Sequence, residues 1–431
     1  MEEKAKLIME GREYELPVIT GTEGEKAIDI TQLRSRTGYI SYDPGFANTG
    51  SCKSAITYID GEKGVLRYRG IPIEQFDTKI PNFVEVAWLI IFGRLPKKEE
   101  LQHFSEKLTR HAHIHEALKY HFEGFPITAP PMAILSAMIN ALSCFYPELF
   151  ELETHEQFEE AAARLISKIR TIAAYSYRSS KGLPFIPPHP KLRYCANFLH
   201  MMFSMPYDLY EIDPVVEDAL NLVFILHADH EQNCSASTVR MVGSSRANLF
   251  ASCAAGVCAL WGPLHGGANT AVIEMLEQIH KGNYTPEDCV RMAKEKGNPF
   301  RLMGFGHRVY KYFDPRSRIL KKACDKLLAT LKIKDPLLDI ALKLEELALK
   351  DSYFTEKGLY PNVDFYSGIM MRAMRIPLNM FTVMFSMGRL PGWIAQWKEM
   401  NDDPRSKIWR PRQVYAGEKE RDYIPMEKRQ Y

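Results

Sequence analysis

From residue 81 to residue 397 the chain is a succession of segments with helical period, and several of them open on proline. Proline lacks a backbone N–H and holds φ near −65°, so it suits the first turn of a helix and stops one already running. Each such proline marks where a helix begins. The expected helices are 83–92 (closed by Gly93 and Pro96), 98–120, 131–146, 154–177, 214 to about 229, 246–261, 268–281, 286–296, 315–331, 336–350 and 377–397. The loop 181–190 holds four prolines and joins two helical blocks. Strand period occurs in two hairpins, residues 5–20 around Glu10-Gly11 and residues 56–70. The expected fold is mostly α with a small β-rich N-terminal segment, residues 1–70. The basic tail after Asn401 is expected to be extended.

A chain of 431 residues exceeds one typical core, so two or three domains are expected. A net charge of +2 argues against a general nucleic-acid binder. The eight cysteines form no CxxC pair, and the surroundings of Cys144, Cys253 and Cys258 are apolar or small. They read as reduced core residues of a cytoplasmic protein. The start, Met1-Glu2-Glu3-Lys4, is too charged for a signal peptide. Residues 247–273 carry no formal charge and are long enough to mimic a membrane span. Gly262-Pro263 interrupts them, and their small residues suit a helix packed inside a helical core.

The chemistry-bearing residues fall in a few places. Residues 304–316 put His307 behind Gly304 and Gly306, then Lys311, then Arg316 after the helix start Asp314-Pro315. Glycine lets backbone approach a ligand, histidine can bond a carbonyl or move a proton, and Arg and Lys grip carboxylate or phosphate. That pattern suits a small anion; it also suits a turn with solvated charges. His227 and His230 lie three apart on one helix face. They can ligate metal, satisfy a helix end or meet a ligand, and no third metal ligand stands at a motif spacing. His265, at a break between helices, is a turn histidine or a donor to a carbonyl. Asp364 is an Asx-turn or N-cap aspartate, or a base made stronger by Val363, Phe365 and Tyr366. Arg389 is the only formal charge between Arg375 and Lys398 and requires a partner. His111, His113 and His115 read as surface residues.

Four ordered stretches carry a resemblance. They are residues 304–316, Leu226-His227-Ala228-Asp229-His230-Glu231, Gly262-Pro263-Leu264-His265-Gly266-Gly267-Ala268-Asn269 and Pro361-Asn362-Val363-Asp364-Phe365-Tyr366-Ser367-Gly368. Together they resemble the citrate synthase family, and the likeness runs over nearly the whole chain. It implies a large helical domain (71–275 and 386–431) and a smaller one (276–385) with a cleft that closes on substrate. It implies a citrate (Si)-synthase, an acyltransferase that condenses acetyl-CoA with oxaloacetate and hydrolyses the thioester, the first step of the tricarboxylic acid cycle. The close rival is 2-methylcitrate synthase, which uses propionyl-CoA. A rival of another class, an inactive helical ligand-binding or scaffold protein, fits poorly with an intact His265, His307 and Asp364.

The same resemblance implies roles. Asp364 takes the thioester α-proton, His265 bonds the enolate oxygen and His307 polarises the ketone. His230, Arg316, Arg389 and Arg410 hold oxaloacetate, with Arg410 reaching a neighbouring subunit's site, so at least a dimer is implied. Arg301 and Lys311 meet coenzyme A phosphates. No cofactor, metal, nucleic acid or membrane is implied. The N-terminal β segment resembles the longer bacterial form, typically hexameric and often an allosteric enzyme inhibited by NADH. Arg110, His111, Tyr146, Arg164 and Lys168 match its nucleotide site. Ala112, His113, Met205 and Tyr207 depart from it, with Tyr207 placed to crowd the pocket, so NADH inhibition is expected to be weak or absent.

Overall fold

The computed structural model describes residues 3–79, 81–311 and 313–429. Tyr312, in the glycine-histidine stretch, lies outside the described residues. Two compact units are present, one of residues up to 54 together with those from 409 on, the other of residues 55–408.

In the first unit β1 (Lys4–Met9) pairs antiparallel with β2 (Arg12–Thr20), Met9 opposite Arg12. Glu10 and Gly11 both have positive φ (52° and 75°), the backbone of a two-residue hairpin turn. A third strand, β3 (Lys26–Ile28), adds to β2, and a short helix α1 (Leu33–Thr37) follows. Residues 409–425 form neither helix nor strand, as expected of the tail.

The second unit opens with an antiparallel sheet of β4 (Thr57–Asp60), β5 (Val65–Tyr68) and β6 (Ile71–Pro72). Helices follow: α2 (Gln75–Lys79), α3 (Phe83–Phe92), α4 (Lys98–Arg110), α5 (Glu116–Glu123), α6 (Pro131–Ala141), α7 (His155–Ser180), α8 (Tyr194–Phe203) and α9 (Pro214–His227). Then come α10 (Cys234–Gly243), α11 (Leu249–Trp261), α12 (Ala268–His280), α13 (Pro286–Lys294), α14 (Pro315–Leu331), α15 (Pro336–Lys350), α16 (Ser352–Glu356), α17 (Val363–Ala373) and α18 (Phe381–Asp402). The prolines do set the starts: Pro131, Pro214, Pro286, Pro315 and Pro336 each stand in a first turn, four of them behind an Asp or Thr whose side chain caps the helix.

Several expectations change. The helix expected over 98–120 breaks at 111–115, because other partners take its carbonyls. Lys168 Nζ donates to the His111 and His113 carbonyls (3.0 and 2.7 Å) and Thr171 Oγ1 to that of Ala112 (2.6 Å). His115 then caps α5 through Ala117 N–H. Helices α8 and α10 were not expected; α8 opens behind Arg193 with no side-chain cap, α10 behind Asn233, whose side chain accepts from Ala236 N–H, and Asp364 lies inside the first turn of α17, whose N-cap is Asn362. Cys195, Cys253, Cys289 and Cys324 are buried, but Cys144, Cys234 and Cys258 are exposed, so the expectation of core positions fails for those three. A free thiol on α11 faces outward because the helix buries only one side. Among the described residues no helix is long and apolar enough to cross a membrane, and no cluster suits a metal.

Helix α18 organises the second unit. It packs against α3, α7, α9, α10 and α11, and its apolar residues are buried nearly all round. Pro391 stands inside it and has no N–H to return to Met387. The next residue, Gly392, gives its N–H to the Ala228 carbonyl instead (3.1 Å). A Cβ at Gly392 would lie 2.4 Å from that carbonyl oxygen. The helix thereby grips the end of α9, where His227 and His230 stand.

Candidate active site

The glycine-histidine stretch is fastened by backbone to the segment that carries Asp364. Asn362 N–H donates to the Gly304 carbonyl (2.8 Å) and Gly306 N–H to that of Tyr360 (2.9 Å). Asn362 Nδ2 donates to the Gly306 carbonyl (2.7 Å) while its Oδ1 caps α17. Gly304 (φ 81°) has no room for a side chain, since a Cβ would meet Val272 and Phe365 at 2.7 and 2.9 Å. The sequence reading gave these glycines to ligand approach; here they admit the chain's own side chains.

His307 follows directly. Its Nδ1 accepts the N–H groups of Val309 (3.0 Å) and Tyr310 (3.3 Å), so the neutral ring carries its proton on Nε2. Burial and the charge of Arg316 push its pKa down to about 4. Arg316, in the first turn of α14, is held by Asp314: Nε and Nη2 donate to the two carboxylate oxygens at 2.9 and 2.8 Å. Burial opposes ionisation of Asp314, but the charge and bonds of Arg316 outweigh it and hold its pKa below the usual range. Arg316 Nη2 also lies 3.4 Å from His307 Nε2, farther than the backbone N–H groups lie from Nδ1, and with the ring proton on Nε2 that approach is not a hydrogen bond.

Tyr310, which the sequence reading missed, joins two of the histidines. Its hydroxyl is 3.2 Å from His230 Nε2, and its ring centroid is 4.8 Å from that of His307. The His230 and His307 rings are 5.5 Å apart. Burial, then Arg316, lowers the pKa of His230 far below its ordinary value. His227 gives its Nδ1 proton to the Val223 carbonyl (2.7 Å) and keeps a buried Nε2 without a partner among the described residues.

His265 sits in the break between α11 and α12. Ser235 N–H donates to its Nε2 (3.2 Å), with Ser235 Oγ 2.9 Å from the same atom, so the neutral ring carries its proton on Nδ1. Ser235 Oγ accepts in turn from Trp393 Nε1 (3.0 Å). Burial, then Arg389, brings the pKa of His265 to about 4. Asp364 is half-buried, and among the described residues its carboxylate takes no hydrogen bond or ion pair. Burial raises its pKa to about 6, against the pull of Arg316.

Arg389 is 1% exposed. Its Nε donates to the His227 carbonyl (2.6 Å), its guanidinium lies 4.9 Å from the Phe385 ring centroid, and Nη1 has no acceptor among the described residues. Burial lowers its pKa to about 10, so it stays charged near neutrality. No carboxylate of the described residues lies within ion-pair distance of it. The counter-charge that acts on it most is Asp229, which lies beyond ion-pair distance, so among the described residues Arg389 keeps donor capacity to spare.

Other expected site residues stand apart. Arg301 is exposed. Lys311 pairs with Glu62 and borders a cavity of about 420 Å³ that also touches His307 and Tyr310. Arg410 is exposed and belongs to the other unit. Of the nucleotide set, Arg164 lies 4.4 Å from the Tyr146 ring centroid and pairs with Glu148 and Glu160, which also meets His111 Nε2 (2.8 Å). Lys168, spent on backbone carbonyls, has its pKa lowered to about 8 by burial. Tyr207 is 85% exposed.

Comparison with known proteins gives a consistent result. Residues 45–412 match the family model "Citrate synthase, C-terminal domain". The chain is 51% identical over 428 residues to citrate synthase 1 of Mycobacterium tuberculosis, covering 99% of each. Its structure resembles that of citrate synthase from Pyrobaculum aerophilum, with a TM-score of 0.81 at 34% identity, covering 96% of this chain and 97% of that one. It also resembles the citrate synthase of Thermoplasma acidophilum in its ternary complex with carboxymethyl coenzyme A and oxaloacetate. There the TM-score is 0.80 at 30% identity, over 90% of this chain and all of that one.

Proposed function

The chain belongs to the citrate synthase family, and from that premise we propose that it is the acetyl-CoA-using citrate (Si)-synthase of the tricarboxylic acid cycle. The observation that carries the reading is a set of three groups, His265 and His307 as neutral rings that each accept a backbone N–H, and Asp364 with its pKa raised to about 6, each in the field of Arg316 or Arg389.

A thioester α-carbon is a weak acid. A base with a raised pKa is a better match to it, and a donor must meet the enolate oxygen as charge develops. Asp364 takes the proton, and His265 offers Nδ1–H to the oxygen. Donors of this kind typically contribute about 3–4 kcal/mol each. The enolate attacks the ketone of oxaloacetate, polarised by His307 Nε2–H. Both rings stay neutral at pH 7, so each gives a hydrogen bond without first having to lose a charge.

Oxaloacetate is a dianion. The free Nη1 of Arg389 and the remaining donors of Arg316 face the need for carboxylates, with His230 beside them and Arg410 supplied by a neighbouring subunit. Arg301 and Lys311 serve coenzyme A. The chain works in the cytoplasm as at least a dimer, and as a hexamer if its N-terminal strands act as in the longer bacterial form. Residues 276–385 move as the smaller domain. NADH inhibits weakly or not at all.

The rival substrate, propionyl-CoA, differs by one methylene, worth only about 1–3 kcal/mol in a pocket. The N-terminal β segment favours acetyl-CoA, since it is the citrate branch that this segment resembles. The test of the site is Asp364→Ala. Turnover should vanish while calorimetry still detects oxaloacetate binding; normal turnover would remove Asp364 as the base.

A further inference from the structure

Five arginines are buried: Arg170, Arg178, Arg240, Arg316 and Arg389. Three are satisfied by the protein. Arg178 donates to the carbonyls of Met202 and Ser204 (3.0 and 2.8 Å), Arg240 pairs with Glu399, and Arg316 with Asp314. Arg389 keeps an unused donor where a substrate carboxylate is proposed to sit. Arg170 is the remaining one. It is 3% exposed, and its Nε and Nη2 are enclosed without an acceptor among the described residues. Its nearest recorded companion is the Tyr194 ring, 4.8 Å away. A buried cation without a counter-charge is costly to keep.

Arg170 lines a cavity of about 650 Å³, a volume usual for small-molecule sites. It stands two residues beyond Lys168 on α7, roughly 200° round the helix, so it faces away from the Tyr146 cluster. None of the residues proposed for catalysis lines this cavity. Two helix starts do, but at α3 Asn221 Oδ1 takes the Phe83 N–H (2.7 Å) and Asn82 caps the helix, whereas α8, which brings Tyr194 and Cys195, has no side-chain cap. Helix N-termini carry partial positive charge and orphan N–H groups. The one buried carboxylate on the wall, Glu217, is already taken by Arg193 Nη2 (2.7 Å). Leu108 and Leu192 supply apolar wall, while Arg110 and Lys191 stand at the exposed rim beside Glu106.

We propose that this cavity is a second ligand site, for a small molecule bearing a carboxylate or phosphate on an aryl or other apolar body. The anionic head meets Arg170 and the uncapped start of α8, and the body lies against the apolar wall. Nothing in this depends on which thioester the enzyme uses.

Calorimetry on the full chain with phenyl phosphate and with benzoate tests it and separates the two head groups. At least one should bind saturably, one per chain, and Arg170→Met should weaken that binding by tenfold or more. The variant removes an unmatched charge, so its citrate synthesis rate and unliganded thermal midpoint should hold. Ser105→Phe fills the cavity wall and keeps Arg170; it too should lose tenfold. No saturable binding of either probe, or binding unchanged in Arg170→Met, overturns the proposal. Should Arg170→Met not fold, Ser105→Phe decides: tenfold loss supports the site and unchanged binding overturns it.

Discussion

Single residues here work through their neighbours' protons. In the proposed mechanism His265 and His307 act as donors because a backbone N–H occupies the other ring nitrogen. With both pKa values near 4, neither should titrate in turnover above pH 5. The group that should is Asp364, so kcat/KM is expected to fall tenfold per pH unit below about 6 and to show no imidazole step between pH 6 and 8. A profile governed by a pKa near 6.5 that survives in Asp364→Glu would contradict this. Tyr310 acts on His230 by one hydrogen bond, worth about 0.5–1.5 kcal/mol. Tyr310→Phe should therefore raise KM for oxaloacetate by about 2–10-fold with little change in kcat; a loss confined to kcat would place Tyr310 in the chemistry instead. The signal for Tyr310 was present in the sequence, three residues past His307, but an aromatic residue at that spacing reads as core until a partner is seen.

At the scale of elements, the coupling of α18 to the end of α9 is the joint on which the site depends. Gly392→Ala puts a Cβ against the Ala228 carbonyl and Asp229. It should cost on the order of 3 kcal/mol in urea unfolding and also raise KM for oxaloacetate, because His230 is displaced. A variant with wild-type stability and KM would show that the helix end yields freely. This joint was hidden in the sequence, where Pro391 reads as a helix breaker and the rescue by Gly392 is a tertiary contact. Helix starts were legible wherever proline and a capping Asp or Thr coincide, as at Asp314-Pro315 and Thr285-Pro286. They were not where the cap is an Arg with no side-chain bond, as at α8, or where α7 side chains pull 111–115 out of a helix. His265, His307 and Asp364 were legible as residue types, and so was the raised basicity of Asp364, through the apolar residues beside it in the sequence. The tautomers of the two histidines were not, since these follow from Ser235 N–H and from two N–H groups of a turn.

Over the whole molecule, several buried histidines set the response to acid. His227, His265 and His307 have folded pKa values of about 3, 4 and 4, below the unfolded value near 6.5. Between those limits the unfolded chain binds more protons, so stability is present above pH 6.5 and is lost as pH falls toward 4. Asp364 runs the other way between its unfolded value of 3.8 and about 6, as do the raised Asp229 and Glu85, but the lowered histidines, His230 and His200 among them, outnumber these. Each histidine contributes on the order of 1–3 kcal/mol, so the thermal midpoint should drop steeply between pH 6.5 and 4; a flat profile would mean the rings are hydrated. Assembly has its own test. Arg410→Ala and Arg389→Ala should each cripple turnover, and mixed oligomers of the two should regain part of it if sites are shared between subunits, whereas no recovery would place Arg410 outside the neighbour's site. Release of free coenzyme A thiol from acetyl-CoA and from propionyl-CoA, with oxaloacetate as acceptor, tests the proposed acetyl-CoA-using citrate synthesis most directly. Thiol release should depend on oxaloacetate, with kcat/KM about tenfold or more in favour of acetyl-CoA. A preference for propionyl-CoA, or release that does not depend on oxaloacetate, would contradict it.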